Sequence, residues 1–141
     1  MKVKNSILFV IMGIVLFTFS DVIRASEPMS DDEIKIYKKY EGKWGGGTWP
    51  GKSSKLKGRS LDFQIVRIDS ANRKAEVIYI LGEGRQGEAA SRVTKMADCV
   101  DGKLIFETSE NRIELWIKGD DELFAERKGR NPSKILLKRT Q

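Results

Sequence analysis

Arg112-Ile113-Glu114-Leu115-Trp116-Ile117-Lys118 alternates polar and apolar side chains, with only Trp116 out of pattern. Successive side chains of a strand point to opposite faces, so Ile113, Leu115 and Ile117 share one face. At 100° per residue the same pattern would make no continuous helical stripe. The stretch predicts a half-buried β-strand, and its period of two recurs on both sides.

Downstream, residues 122–128 and 133–139 repeat the pattern, separated by Asn131-Pro132. Upstream, residues 103–108 do the same behind Asp101-Gly102, a strong hairpin turn. Residues 74–81, Lys-Ala-Glu-Val-Ile-Tyr-Ile-Leu, are rich in β-branched and aromatic types. Residues 60–68 and 43–49 complete the set, with Asp69-Ser70-Ala71-Asn72 as a turn. Residues 89–100 read two ways. Ala89, Ala90, Val93, Met96, Ala97 and Val100 fit a helical stripe, while the neighbouring strands and the Asp101-Gly102 turn favour a strand. Before the first strand, Ser30-Asp31-Asp32-Glu33 is a capping box, and Ile34, Tyr37 and Tyr40 follow at helical spacing. This predicts a short helix over 31–40.

With 89–100 extended, the strands number eight and their connections are too short for parallel crossovers. The expected fold class is all-β: an eight-stranded antiparallel up-and-down barrel, whose closure leaves no exposed edge. It would enclose Phe63, Ile65, Val77, Tyr79, Leu104, Phe106, Ile113, Leu115, Ile117, Ile135 and Leu137.

The N-terminus carries a different signal. Lys2 and Lys4 precede the apolar run Ile7–Phe19, and small residues follow. This is the pattern of a secretory signal peptide, and the run falls short of the roughly 20 residues that span a bilayer. Cleavage is expected after Ser20 or, preferably, after Ala25. Residues 1–25 are then a signal peptide and residues 26–141 a single domain, exported to the periplasm or beyond the cell, with no stable membrane span after cleavage. The whole chain has a formal charge of +6, and residues 26–141 keep +4. That permits an anionic partner without demanding one. Cys99 is the only cysteine, so no internal disulfide is possible.

Gly42-Lys43-Trp44 opens the first strand after the helix, and Arg139 ends the last. This arrangement resembles the lipocalin-like, or calycin, barrels. The resemblance implies that Gly42, Trp44 and Arg139 close one end of the barrel, the cation lying on the indole face. The wider pattern Trp44-x-Gly46-x-x-Trp49 looks more like small bacterial domains of this kind whose role is unknown.

Much chemistry is excluded. The sequence has no histidine, which removes Ser-His-Asp and Cys-His catalysis and most zinc sites. No spacing places two carboxylates across a substrate. Gly82-Glu83-Gly84-Arg85-Gln86-Gly87 matches G-x-G-x-x-G, but a dinucleotide site needs parallel strands and crossover helices. The expectation is a non-enzyme with no metal and no cofactor. Export argues against nucleic acid as a partner.

Alternate loops of a meander share a rim. Loops 50–59 and 82–90, the longest, fall at one end with Lys52, Lys55, Lys57, Arg59, Arg85, Lys128 and Arg130. The other end carries Asp69, Asp101, Asp120 and Asp121. The leading expectation is therefore a binding protein for a small apolar or anionic amphipathic ligand. Lys55 and Lys57 would attract it. Arg67 and Arg127, as inward polar exceptions beside Tyr79, would meet its carboxylate or phosphate. The bland alternative points both arginines to water. The competing function is a protein-interaction module, an inhibitor or partner of a secreted hydrolase, with a barrel filled by its own side chains. Such a module would act through its loops: a cavity favours the first reading, and a filled interior with an exposed apolar loop patch favours the second.

Overall fold

The computed structural model describes residues 27–50, 58–84, 87–129 and 132–140. The expected signal segment lies outside them, as do Lys52, Lys55, Lys57, Arg85 and Arg130. Among the described residues one short helix, α1 (Asp31–Lys38), precedes eight strands. These are β1 (Gly42–Thr48), β2 (Ser60–Asp69), β3 (Lys74–Leu81), β4 (Ser91–Val100), β5 (Lys103–Glu107), β6 (Asn111–Gly119), β7 (Glu122–Gly129) and β8 (Ser133–Thr140). They pair in sequence order, all antiparallel, and β8 returns to β1 to close an up-and-down barrel.

Alternation decides which side chains face in. On β3, Ala75, Val77, Tyr79 and Leu81 are buried, and on β7, Leu123, Ala125 and Arg127 are. The ambiguous segment is a strand: β4 pairs with β3 from Lys74↔Asp98 to Leu81↔Ser91. Asp101 and Gly102 then take φ of 51° and 77°, the two positive values that a type I′ hairpin turn requires.

The helix plugs one end, the floor. Ser30 accepts the Glu33 N–H, and the Glu33 carboxylate reaches back to the Ser30 N–H, completing the capping box. Glu33 also takes a two-pronged contact from Arg73 on the β2–β3 turn (2.5 and 3.0 Å). Tyr37 Oη accepts the Gly102 N–H (2.9 Å), and Tyr40 Oη donates to the Gly102 carbonyl (2.5 Å). Two tyrosines one helical turn apart thus hold both polar groups of one turn glycine.

The pairing is uneven around the barrel. β2–β3, β3–β4 and β6–β7 are joined over nearly their full length. The β4–β5 and β8–β1 seams each hold at three positions, all near the floor. Towards the mouth the wall therefore separates into two halves, β1–β4 and β5–β8. At β8–β1 the gap is covered: methyls of Leu137 and Ile135 occupy the space beside Gly47 where a side chain would stand, 2.5 and 3.0 Å from an added Cβ.

Candidate functional site

The floor is built around Trp44. Its indole is fully buried, and its Nε1–H donates to the Tyr40 carbonyl (2.8 Å). Arg139, the cross-strand partner of Trp44, lays its guanidinium 4.1 Å from the ring centroid. The same guanidinium donates to the carbonyls of Glu41 (2.8 Å), Lys39 (2.7 Å) and Asp120 (3.2 Å). Gly42 has φ +127°, and a Cβ there would lie 2.8 Å from Arg139 Nη1. Gly42, Trp44 and Arg139 are brought together, and each nitrogen of the fork donates to a protein carbonyl. This corner is occupied with structure rather than open to a ligand.

The mouth end holds the second cluster. Arg127 is 1% exposed and lies 4.5 Å from the centroid of the Trp49 ring. Trp49 Nε1–H donates to Tyr79 Oη (2.9 Å). Tyr79 stacks on Phe63 at 5.2 Å, and Phe106 meets both rings at about 6 Å. Trp49, Tyr79 and Phe63 belong to the β1–β4 side and Arg127 and Phe106 to the other. The cluster therefore bridges the two halves where the strands do not. Burial lowers the Arg127 pKa and raises that of Tyr79, each towards its neutral form, as low polarity requires.

Of the expected ligand contacts, Tyr79 and Arg127 thus meet inside. Arg67 does not join them. The β2–β3 register shifts between Ile65 and Arg67, so Ile68 takes the inward place and Arg67 is exposed, paired with Glu76 (3.1 Å). The expected basic mouth is also altered. Arg59 is buried and staples the β3–β4 connection by donating to the carbonyls of Gly82 (2.8 Å) and Ala89 (2.6 Å). Lys128 lies on the outer wall against Glu114 (2.6 Å). Lys55 and Lys57 lie outside the described residues.

Between floor and mouth the interior is packed. Trp44, Leu61, Val77, Leu104, Leu115, Leu123, Ala125 and Leu137 are each 0% exposed. A void large enough for water beside any of them would leave part of its surface accessible. Apolar surface is exposed instead along the mouth half of β4: Val93 at 42% and Met96 at 50%. On the opposite half, Trp116 and Phe124 pair across β6 and β7, with Lys103, Lys118 and Lys134 over their rings. Sequence reasoning missed the β4 surface, because Val93 and Met96 stand at a helical spacing that hides the two faces of a strand.

Among the described residues no group of three or more His, Cys, Asp or Glu is placed to hold a metal ion. No helix among them is long and apolar enough to cross a membrane. Compared with known proteins, the chain matches no family model, no curated protein and no solved structure.

Proposed function

We propose that this chain is an exported, non-catalytic barrel of the lipocalin-like kind that acts as a protein-interaction module, working from its outer wall on an envelope or secreted partner such as a hydrolase. The packed interior carries the reading. A ligand inside would have to displace side chains that already exclude water. Export rests on the charged start and apolar run of residues 1–25, and kinship with the calycins on Gly42, Trp44 and Arg139. The lack of histidine supports a non-enzyme. The place of action is the periplasm or the extracellular space.

A small anionic amphipathic ligand at the mouth is the second reading. One observation favours it: a buried guanidinium stacked on Trp49 beside a phenol. Such a ligand would reach Arg127, 1% exposed, only by moving the side chains that bury it. Native mass spectrometry of the protein purified from its source separates the two. A co-purified protein supports the interaction module. A retained small molecule, lost in Arg127→Met, overturns it in favour of the second reading.

A further inference from the structure

The mouth half of β4 is an open strand edge inside a closed barrel. β5 pairs with β4 only at Asp98↔Ile105, Cys99↔Leu104 and Val100↔Lys103. Beyond that point, among the described residues, no strand pairs with this side of Ser91–Ala97, a stretch of about 23 Å.

The ladder fixes which backbone groups are open. The Cys99 N–H donates to the Arg73 carbonyl, towards β3 (3.0 Å). Backbone direction alternates along a strand, and β3–β4 pairing runs on without a register shift. Residues 97, 95, 93 and 91 therefore also point to β3. The N–H and C=O groups of Met96, Thr94 and Arg92 point the other way, into the gap.

The side chains at this edge are suited to a partner strand. Val93 and Lys95 pair with Tyr79 and Val77, so they share the inward face; Arg92, Thr94 and Met96 share the outer face. Val93 and Met96 offer exposed apolar surface on the two faces, and Arg92 and Lys95 a cation on each. A second copy of this chain is a poor occupant. Pairing β4 with itself about Thr94 gathers two copies each of Arg92 and Lys95 in one seam with no acid between them.

We propose that Ser91–Ala97 is a docking edge for an extended segment of an acidic protein partner, which adds to β4 as an antiparallel strand. This rests on the interaction-module reading and deepens it. Cross-strand complementarity sets the partner's pattern, read from its N-terminus: apolar opposite Met96, acidic opposite Lys95, a β-former opposite Thr94, apolar opposite Val93, acidic opposite Arg92. Backbone hydrogen bonds hold the strand, and the two carboxylates select it.

The probe is the acetylated, amidated peptide Thr-Val-Glu-Thr-Val-Glu-Thr, with Lys in place of Glu as its control. In the free protein, the amides of Arg92, Thr94 and Met96 exchange with solvent faster than those of Val93 and Lys95. The Glu peptide slows the first three and the Lys peptide does not. The double variant Arg92→Glu with Lys95→Glu weakens Glu-peptide binding by about tenfold or more and favours the Lys peptide. Thr94→Pro removes an N–H that faces the gap, leaves the β3 ladder whole and abolishes binding. Equal binding of both peptides, or protection of all five amides in the free protein, overturns the proposal. So does dimerisation through this edge. A co-purified partner that protects amides elsewhere also overturns it, yet leaves the interaction-module reading standing. Only a retained small molecule removes that reading itself.

Discussion

Arg139 and Trp44 are cross-strand partners whose guanidinium and indole lie face to face, 4.1 Å from guanidinium carbon to ring centroid. The pair joins the last strand to the first, and the cation's remaining donors hold the carbonyls of Lys39, Glu41 and Asp120. Arg139→Ala removes the ring contact and leaves those carbonyls short of a charged donor. The expected loss is about 3 kcal/mol of unfolding free energy. Arg139→Lys restores the charge without the fork and recovers less than half of it. Urea denaturation of the three proteins measures both.

Gly42 is coupled to that pair. Its φ of +127° is a region that side chains rarely adopt, and a Cβ would lie 2.8 Å from Arg139 Nη1. Gly42→Ala is expected to cost about 2 kcal/mol, part backbone strain and part displacement of the guanidinium. In an Arg139→Ala background only the strain remains. A double-mutant cycle should return a coupling of about 1 kcal/mol. Strict additivity would mean that Gly42 serves the backbone alone.

Much of the barrel was legible because most strands bury one face, so their apolar residues alternate. Legibility failed where that condition lapsed. Among the described residues the mouth half of β4 is paired on one side only, so neither face is sealed, and Val93 and Met96 lie on opposite faces with a helix-like spacing. Arg67 follows Phe63 and Ile65 at the right parity to point inward, but a one-residue slip against β3 turns it out. No local pattern announces such a slip. Arg127 kept its parity behind Leu123 and Ala125 and was found inside, at Tyr79. Its stacking partner Trp49 comes from the far end of the sequence, which alternation along one strand cannot identify.

Cys99 is held unreactive by its surroundings. It faces inward on β4, and burial pushes its thiol up to about 12, with the Asp98 carboxylate adding to the rise. At neutral pH almost none is thiolate, the species that attacks. The folded protein is expected to resist a thiol-specific disulfide reagent for as long as it stays folded. Labelling in increasing urea should follow the unfolding transition. Rapid stoichiometric labelling without denaturant would show that solvent reaches the inward face of β4 even at its floor end.

Glu114 provides a pH signature of the outer wall. It lies on the outer face of β6 yet is buried, because Lys128 (2.6 Å) and Lys103 (3.6 Å) close over its carboxylate. The Lys128 hydrogen bond draws its pKa below the ordinary 4.5, outweighing the opposing effect of burial. Between the depressed folded value and the ordinary unfolded one, the unfolded chain binds more protons, so stability rises with pH across that window. The contribution is complete above the ordinary value and is lost as pH falls through the folded one. Lys128 shows the opposite sign: its pKa is raised by Glu114, so its share persists below the ordinary 10.5 and is lost as pH rises through the raised value. Glu114→Gln removes the first dependence and weakens the second, leaving Lys128 the more distant Glu126 (3.9 Å). Unfolding free energies of the two proteins are expected to differ most at neutral pH and to converge as acid protonates the native carboxylate. A difference unchanged between neutral and acid conditions would assign Glu114 a packing role, with its charge contributing nothing.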